Sequence, residues 1–397
     1  MKVSFAKRVM IQDFQGEFVK KMLKSATSPD LIPFSGGIPN PISFPVEEME
    51  KAAEAVLEKN GVLALQYSTA QGYLPLREFI AKRYEKKGTH VTAEDILITN
   101  GSQQALDIIA ATLTDPQDDI LVEDPSYLAA LQTFHLYFPN IHTVELEQDG
   151  ANIQELQSIL KKHHPKFFYM IPDFQNPTGL TYTLEKREKV AQALKGTDTF
   201  LVEDSPYGEL RFKGKQQPCL HSFLGEQCIM VGSFSKTISP GMRLGWILCT
   251  HKELREKMVE YKQLVDMHTN IFGQMILSEY LAHNDYDKHI EKIKELYRHQ
   301  AETMIREMKA HFPSSVSYTD PEGGMFIWVT LPEGMTSIQL TQRAEKAGVL
   351  IAAGDPFYET KRNVRTFRLN YSNSSDEVIV KGIRILADEI RKMQEEK

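Results

Sequence analysis

The chain has 397 residues, 42% of them hydrophobic, enough for two domains with separate cores and too much for a small binding module. A net charge of −7 without any uniformly basic stretch excludes a general attraction to nucleic acid, and no window approaches the roughly 20 apolar residues of a membrane span. Its three cysteines, at 219, 228 and 249, are odd in number and lack Cys-x-x-Cys spacing, so neither a disulfide frame nor a zinc site is expected and a reducing cytoplasm is the simplest home.

From the N-terminus, Met1 to Phe18 mixes Lys7, Arg8, Asp13 and Glu17 with apolar residues and lacks the apolar centre of a secretory signal. Two loops follow, Phe34-Ser35-Gly36-Gly37 and Leu65-Gln66-Tyr67-Ser68-Thr69. Between Asp95 and Cys249, short apolar runs alternate with amphipathic stretches, the pattern of strands and crossover helices in a mostly parallel sheet. Strands are expected near Ile96–Thr99, Ile120–Glu123, Thr143–Glu145, Phe167–Ile171, Phe200–Glu203, Ile229–Gly232 and Trp246–Cys249, with helices at Ala105–Leu113, Ile153–Lys162 and Leu184–Leu194. Lys252 to Met308 is charged, apolar at intervals of three and four, and free of proline, so it should be helical. Candidate strands Val316–Tyr318, Met325–Thr330 and Arg365–Leu369, with helices Ile338–Ala347 and Asp376–Lys392, give the remainder an α+β pattern.

Polar clusters stand where the apolar runs stop. Asn100-Gly101-Ser102-Gln103-Gln104 opens a helix, so its backbone N–H groups face an anion or are capped by Ser102. Asn176-Pro177-Thr178-Gly179 and Glu203-Asp204-Ser205-Pro206-Tyr207 each follow a strand. Ser233-Phe234-Ser235-Lys236 comes next, with Arg243 seven residues beyond Lys236. Arginine and serine donors suit a phosphate, and a lysine held beside them can form a Schiff base with an aldehyde. The combination points to pyridoxal phosphate.

This series, from Phe34-Ser35-Gly36-Gly37 to Phe367-Arg368-Leu369-Asn370-Tyr371, resembles the fold-type I aminotransferases of class I, in the branch that contains 2-aminoadipate and kynurenine aminotransferases. The resemblance implies an α/β fold, a PLP-dependent transferase with a mostly parallel seven-stranded central sheet, helices on both faces and a smaller α+β domain. It divides the chain into an N-terminal arm and helix (1–42) packing on the small domain, a large cofactor-binding domain (43–289) and a small C-terminal domain (290–397). By the same resemblance Lys236 holds the cofactor and carries the proton, Asp204 pairs with the ring nitrogen, and Tyr207 and Asn176 bond the ring's phenolic oxygen. Tyr127 stacks on the ring, while Gly101, Ser102, Gln103, Ser233, Ser235 and Arg243 cradle the phosphate. Tyr67 reaches the phosphate of the other subunit, which requires a homodimer. Gly37, Asn176 and Arg368 take the substrate's α-carboxylate.

The implied activity is transfer of an amino group from an L-amino acid to a 2-oxo acid, with 2-oxoglutarate the expected acceptor. A β-lyase would use the same lysine, aspartate and phosphate cup, because these serve the cofactor and not the outcome. An effector-sensing regulator would need a DNA-binding module, for which the roughly forty residues before Gly36-Gly37 offer neither length nor basic charge. For the side chain of the donor, Lys20, Lys21 and Lys24 stand where aminoadipate enzymes carry an arginine, and Ile38, Phe44 and Leu65 favour apolar or aromatic groups, so broad specificity is expected. The histidines make no metal set: His163-His164 beside Lys161 and Lys162 reads as a solvated face, His283, His289 and His299 are scattered, and His268 is structural.

Overall fold

The computed structural model describes residues 3–10 and 31–396. Lys20, Lys21 and Lys24 therefore lie outside the described residues. The central sheet has the order Ile96–Thr99, Gly245–Leu248, Cys228–Ser233, Phe200–Asp204, Phe167–Met170, Asp119–Asp124, Asn140–Glu147, Gly150–Ala151. The five strands from Cys228–Ser233 to Asn140–Glu147 are parallel, and Gly245–Leu248 runs antiparallel to both of its neighbours. All seven expected strands are present, and the two-residue Gly150–Ala151 adds an eighth that returns antiparallel to the end of its neighbour.

The parallel strands read as unbroken apolar runs because helices cover both faces of such a sheet. Every residue of Phe167–Met170 and Cys228–Ser233 is buried. Crossover helices start where short polar side chains accept the first free N–H groups: Asn152 from Glu155, Thr183 from Lys186. A correction falls on the stretch from Lys252 to Met308, which forms three helices, Lys252–Asp266, Ile271–His283 and Tyr286–His311. Met267 takes a left-handed φ of 59°, and the side chains of Asn270 and Asp285 cap the next two helices.

A second, antiparallel sheet has the order Ser317–Tyr318, Phe326–Thr330, Thr366–Asn370, Ala352–Ala353, with Trp328 opposite Arg368. The N-terminal segment is tied to it: Ile32–Pro33 pairs parallel with Val349–Leu350, and the Asn370 N–H donates to the Phe34 carbonyl at 2.8 Å. From the large sheet, the turn after Phe167–Met170 reaches across, where the Thr319 hydroxyl donates to the Thr178 carbonyl at 2.9 Å. A cleft results between the C-terminal edge of the parallel strands and the strand bearing Arg368. No helix among the described residues is long and apolar enough to cross a membrane.

Candidate active site

Parallel strands share a direction, so the polar clusters that follow them emerge on one edge, the usual ligand-binding edge of an open α/β sheet. There they line a cavity of about 390 Å³ that contains Lys236, Asp204, Tyr207, Asn176, Tyr127 and Arg368. The Lys236 ammonium donates to the Gly37 carbonyl at 2.8 Å, across a gap of 199 residues in sequence. Burial, followed by the Arg368 and Arg243 charges, lowers its pKa to about 8. Of these two charges Arg243 is the near neighbour in sequence, yet the larger effect comes from Arg368, which only the fold brings close.

One end of the cavity is built for an anion. Helix Gly101–Leu113 begins without a side-chain cap, and the Asn100 amide donates to Asp266 at 2.8 Å. Ser102 does not cap the helix either; it lines the cavity beside Gln103, Ser233, Ser235 and Arg243. The Ser233 and Ser235 hydroxyls are 2.9 Å apart, and the Arg243 guanidinium lies 3.5 Å from the Ser235 oxygen. Close approach here depends on two glycines. A Cβ on Gly101, whose φ is +78°, would stand 2.6 Å from the Arg243 guanidinium, and one on Gly245 would stand 2.8 Å from the Ser102 nitrogen. Free helical N–H groups, two hydroxyls and an exposed guanidinium around one spot are the donor set of a phosphate site.

At the other side of the cavity Asp204 is 1% exposed, and burial raises its pKa to about 7. One carboxylate oxygen accepts from the Tyr169 hydroxyl at 2.8 Å; the other has no partner. A buried acceptor left open costs free energy unless a donor fills it, and a protonated ring nitrogen is such a donor. The orphan oxygen, the uncapped helix and a near-neutral lysine together fit pyridoxal phosphate. Tyr207 is buried and Tyr127 partly buried against the same space, and Asn176 supplies a side-chain hydrogen bond to Tyr207.

Arg368 is 3% exposed, with its guanidinium 4.3 Å from the Phe326 ring and 5.0 Å from that of Phe357. It donates to the Asn176 side-chain oxygen and to the Ser35 carbonyl, each at 2.6 Å, while its Nε has no partner. Among the described residues no carboxylate pairs with it, and burial lowers its pKa to about 10. Arg365, three residues earlier, is exposed and reaches the Leu331 carbonyl at 3.4 Å.

Several supporting residues had no signal in the sequence. Glu123 is buried and accepts from the Ile171 N–H, the Gln175 amide and the Tyr182 hydroxyl, and Gln175 in turn holds Thr178. That network fixes the turn carrying Asn176. Tyr169, within an apolar run, orients Asp204. Tyr67 is 74% exposed, its ring edge-on to His268 at 6.0 Å, and does not line the cavity of its own chain. His163, read as part of a solvated face, is partly exposed and lies beside His142 and Asp119.

A family model described as aminotransferase class I and II matches residues 39–386. Aromatic-amino-acid aminotransferase 1 of Thermococcus litoralis is 38% identical over 383 residues, covering 94% of this chain and 91% of that one. Among solved structures, the α-aminoadipate aminotransferase LysN of Thermus thermophilus, complexed with N-(5'-phosphopyridoxyl)-L-leucine, superposes with a TM-score of 0.91 at 35% identity and covers 99% of this chain and 98% of its own. The kynurenine aminotransferase of Pyrococcus horikoshii, in complex with PMP, KYN and KYA, has a TM-score of 0.92 at 36% identity, covering 98% of this chain and 97% of that one.

Proposed function

The chain belongs to the class I and II aminotransferases, and we propose that it is a member of broad specificity, taking amino groups from L-amino acids with apolar or aromatic side chains and passing them to 2-oxoglutarate. It is a pyridoxal-phosphate-dependent aminotransferase that transfers amino groups from amino acids to 2-oxo acids. The cofactor, when bound, supplies a carbonyl for the incoming nitrogen and a conjugated ring that draws electrons from the donor's α-carbon.

In this reading the N–H groups of Gly101, Ser102 and Gln103, the Ser233 and Ser235 hydroxyls and Arg243 hold the phosphate. Asp204 would hold the ring nitrogen in its protonated form, Tyr127 would pack on the ring, and Asn176 and Tyr207 would donate to its phenolic oxygen. Lys236 would hold the cofactor, and its Nζ, whose ammonium pKa is lowered to about 8, would take the proton from the donor's α-carbon and pass it to the cofactor. Arg368 fixes the α-carboxylate, with Gly37 bordering the same space, and the Phe326 and Phe357 rings exclude water from the ion pair formed there. The observation that carries the proposal is the buried Arg368 guanidinium, which lacks an anion and faces the cavity that holds Lys236.

Ile38, Leu128 and Phe357 line the wall where the donor's side chain would lie, which supports apolar and aromatic donors. LysN was solved with a leucine adduct, consistent with that preference. A panel of amino donors tested without acceptor is expected to give one equivalent of 2-oxo acid per site and no free ammonia. Leucine and phenylalanine should exceed aspartate in kcat/KM by at least about tenfold, because an apolar wall leaves the second carboxylate of aspartate without a partner. Catalytic release of ammonia would favour a β-lyase, and a preference for aspartate would overturn the specificity.

Tyr67 at 74% exposure, with Val62 at 89% and Leu65 at 75%, forms an apolar surface that a second copy would cover. Tyr67 would then complete the phosphate site of the partner. Active enzyme should have twice the 45.3 kDa mass of one chain by light scattering, and full activity in a single-chain species would refute the pairing. The three cysteines are free, in keeping with a reducing compartment such as the cytoplasm.

A further inference from the structure

Away from the cavity, three side chains from three elements converge at the other end of the sheet. Asp119 opens the strand Asp119–Asp124, His142 lies within Asn140–Glu147, and His163 ends the helix Ile153–His163. The parallel register sets Leu121 opposite His142, so Asp119, two residues before Leu121, projects from the same face as His142. The Asp119 Oδ1 and His142 Nε2 atoms are 2.6 Å apart, and the His142 and His163 ring centroids are 3.8 Å apart. One ligand atom from each residue lies within 4.8 Å of the other two, and all three side chains are partly exposed.

We propose that Asp119, His142 and His163 form a binding site for a divalent transition-metal ion of the zinc class. Two imidazoles and one carboxylate are a donor set that suits Zn²⁺, with water completing the shell. Metal–ligand bonds of about 2.1 Å in a tetrahedral set place ligand atoms roughly 3.4 Å apart, so the present spread closes with a small rotation of partly exposed side chains. The ion would replace the direct 2.6 Å contact between Asp119 and His142 with a bond from each to the metal.

The position also indicates what binding would do. Beyond Asn140–Glu147 the sheet continues only as Gly150–Ala151, which pairs with Leu146 and Glu147, so most of the outer side of the strand carrying His142 has no strand partner among the described residues. An ion there would join that strand to its inner neighbour and to the end of the covering helix. Asp119 and Asp124 are at opposite ends of one strand, about 16 Å apart at the usual rise per residue, which separates the ion from the cofactor cavity. It would act on stability and leave transamination unchanged.

The test uses the full-length, cofactor-loaded enzyme after removal of metals by a chelator, titrated with Zn²⁺ alone by calorimetry and followed by thermal unfolding. Wild type should bind one equivalent with a micromolar Kd and unfold at a higher temperature with Zn²⁺ present. His142→Ala and His163→Ala should each weaken that binding at least about tenfold and lose the thermal shift. His299→Ala, which removes a different surface histidine paired with Asp376, should change neither. Co²⁺ in place of Zn²⁺ should give visible d–d bands in wild type that vanish in His163→Ala. Absence of a micromolar site in wild type, or wild-type affinity in either His142→Ala or His163→Ala, overturns the proposal. Because transamination is measured on the same samples, failure of the metal site is distinguishable from failure of the enzymatic reading.

Discussion

Lys236→Ala is expected to lower turnover by at least about 10⁴-fold, since the side chain serves both as nucleophile and as general acid–base, and the second role alone contributes about 10²–10⁴-fold. The fold should survive, because Nζ makes one hydrogen bond, to the Gly37 carbonyl. Borohydride treatment of wild type should leave the coenzyme's mass on the peptide containing residue 236, and the variant should carry none. The pH dependence of coenzyme capture by cofactor-free protein follows from the same group. Only the neutral amine attacks a carbonyl, and with the ammonium pKa lowered to about 8 the neutral fraction rises about tenfold per pH unit below that value and then levels off. Capture should therefore accelerate with pH and plateau above about pH 8. A rate still climbing at pH 10, where an unperturbed lysine titrates, or turnover within a hundredfold of wild type in the variant, would remove the assignment.

Much of this site was legible because its residues sit where apolar runs end. The sequence Cys228-Ile229-Met230-Val231-Gly232 stops at Ser233, and three residues later comes Lys236; no packing argument explains that order, so chemistry does. Asp204 and the Asn100-Gly101-Ser102 turn obey the same rule. Tyr169 and Tyr182 did not, since a tyrosine inside a buried strand or loop looks like packing until its hydroxyl is seen to reach Asp204 or Glu123. Glu123 is joined to partners that all lie in the stretch 171–182, at least 48 residues further along the chain, a convergence that local spacing does not encode.

The break in the helical stretch after Lys252 had a signal that periodicity masked. Apolar residues continue at intervals of three and four through His268, yet Asn270 and Asp285 are good helix caps, and each accepts from the N–H three residues on. Asp266, just before the break, is used elsewhere: it accepts from Asn100, Gln104 and Lys262. The contact with Asn100 ties the start of the helix Gly101–Leu113 to a residue 166 positions away, a link that only the folded chain displays. Asp119, His142 and His163 likewise share no linear motif, since they stand on two strands and a helix.

Arg368→Lys is expected to raise KM for every amino donor by at least about tenfold, while the coenzyme's affinity and spectrum stay unchanged. Charged hydrogen bonds contribute about 1.5–3 kcal/mol, or roughly 10–150-fold, and a lysine cannot make the two parallel bonds of a planar guanidinium to a carboxylate. The environment sharpens the expectation. Burial lowers the pKa of Arg368 to about 10, which means the folded protein holds this cation at a cost until an anion arrives. A substrate carboxylate removes that cost, so binding of a non-reactive carboxylate, such as a 2-methyl amino acid, should raise the unfolding temperature of wild type and do so much less in the variant. Asn176 and Ser35 already occupy one side of the guanidinium, fixing its plane and leaving Nε and the cavity-facing edge for the ligand. Unchanged KM across the donor panel, with equal thermal stabilisation of both proteins, would show that the α-carboxylate is held elsewhere.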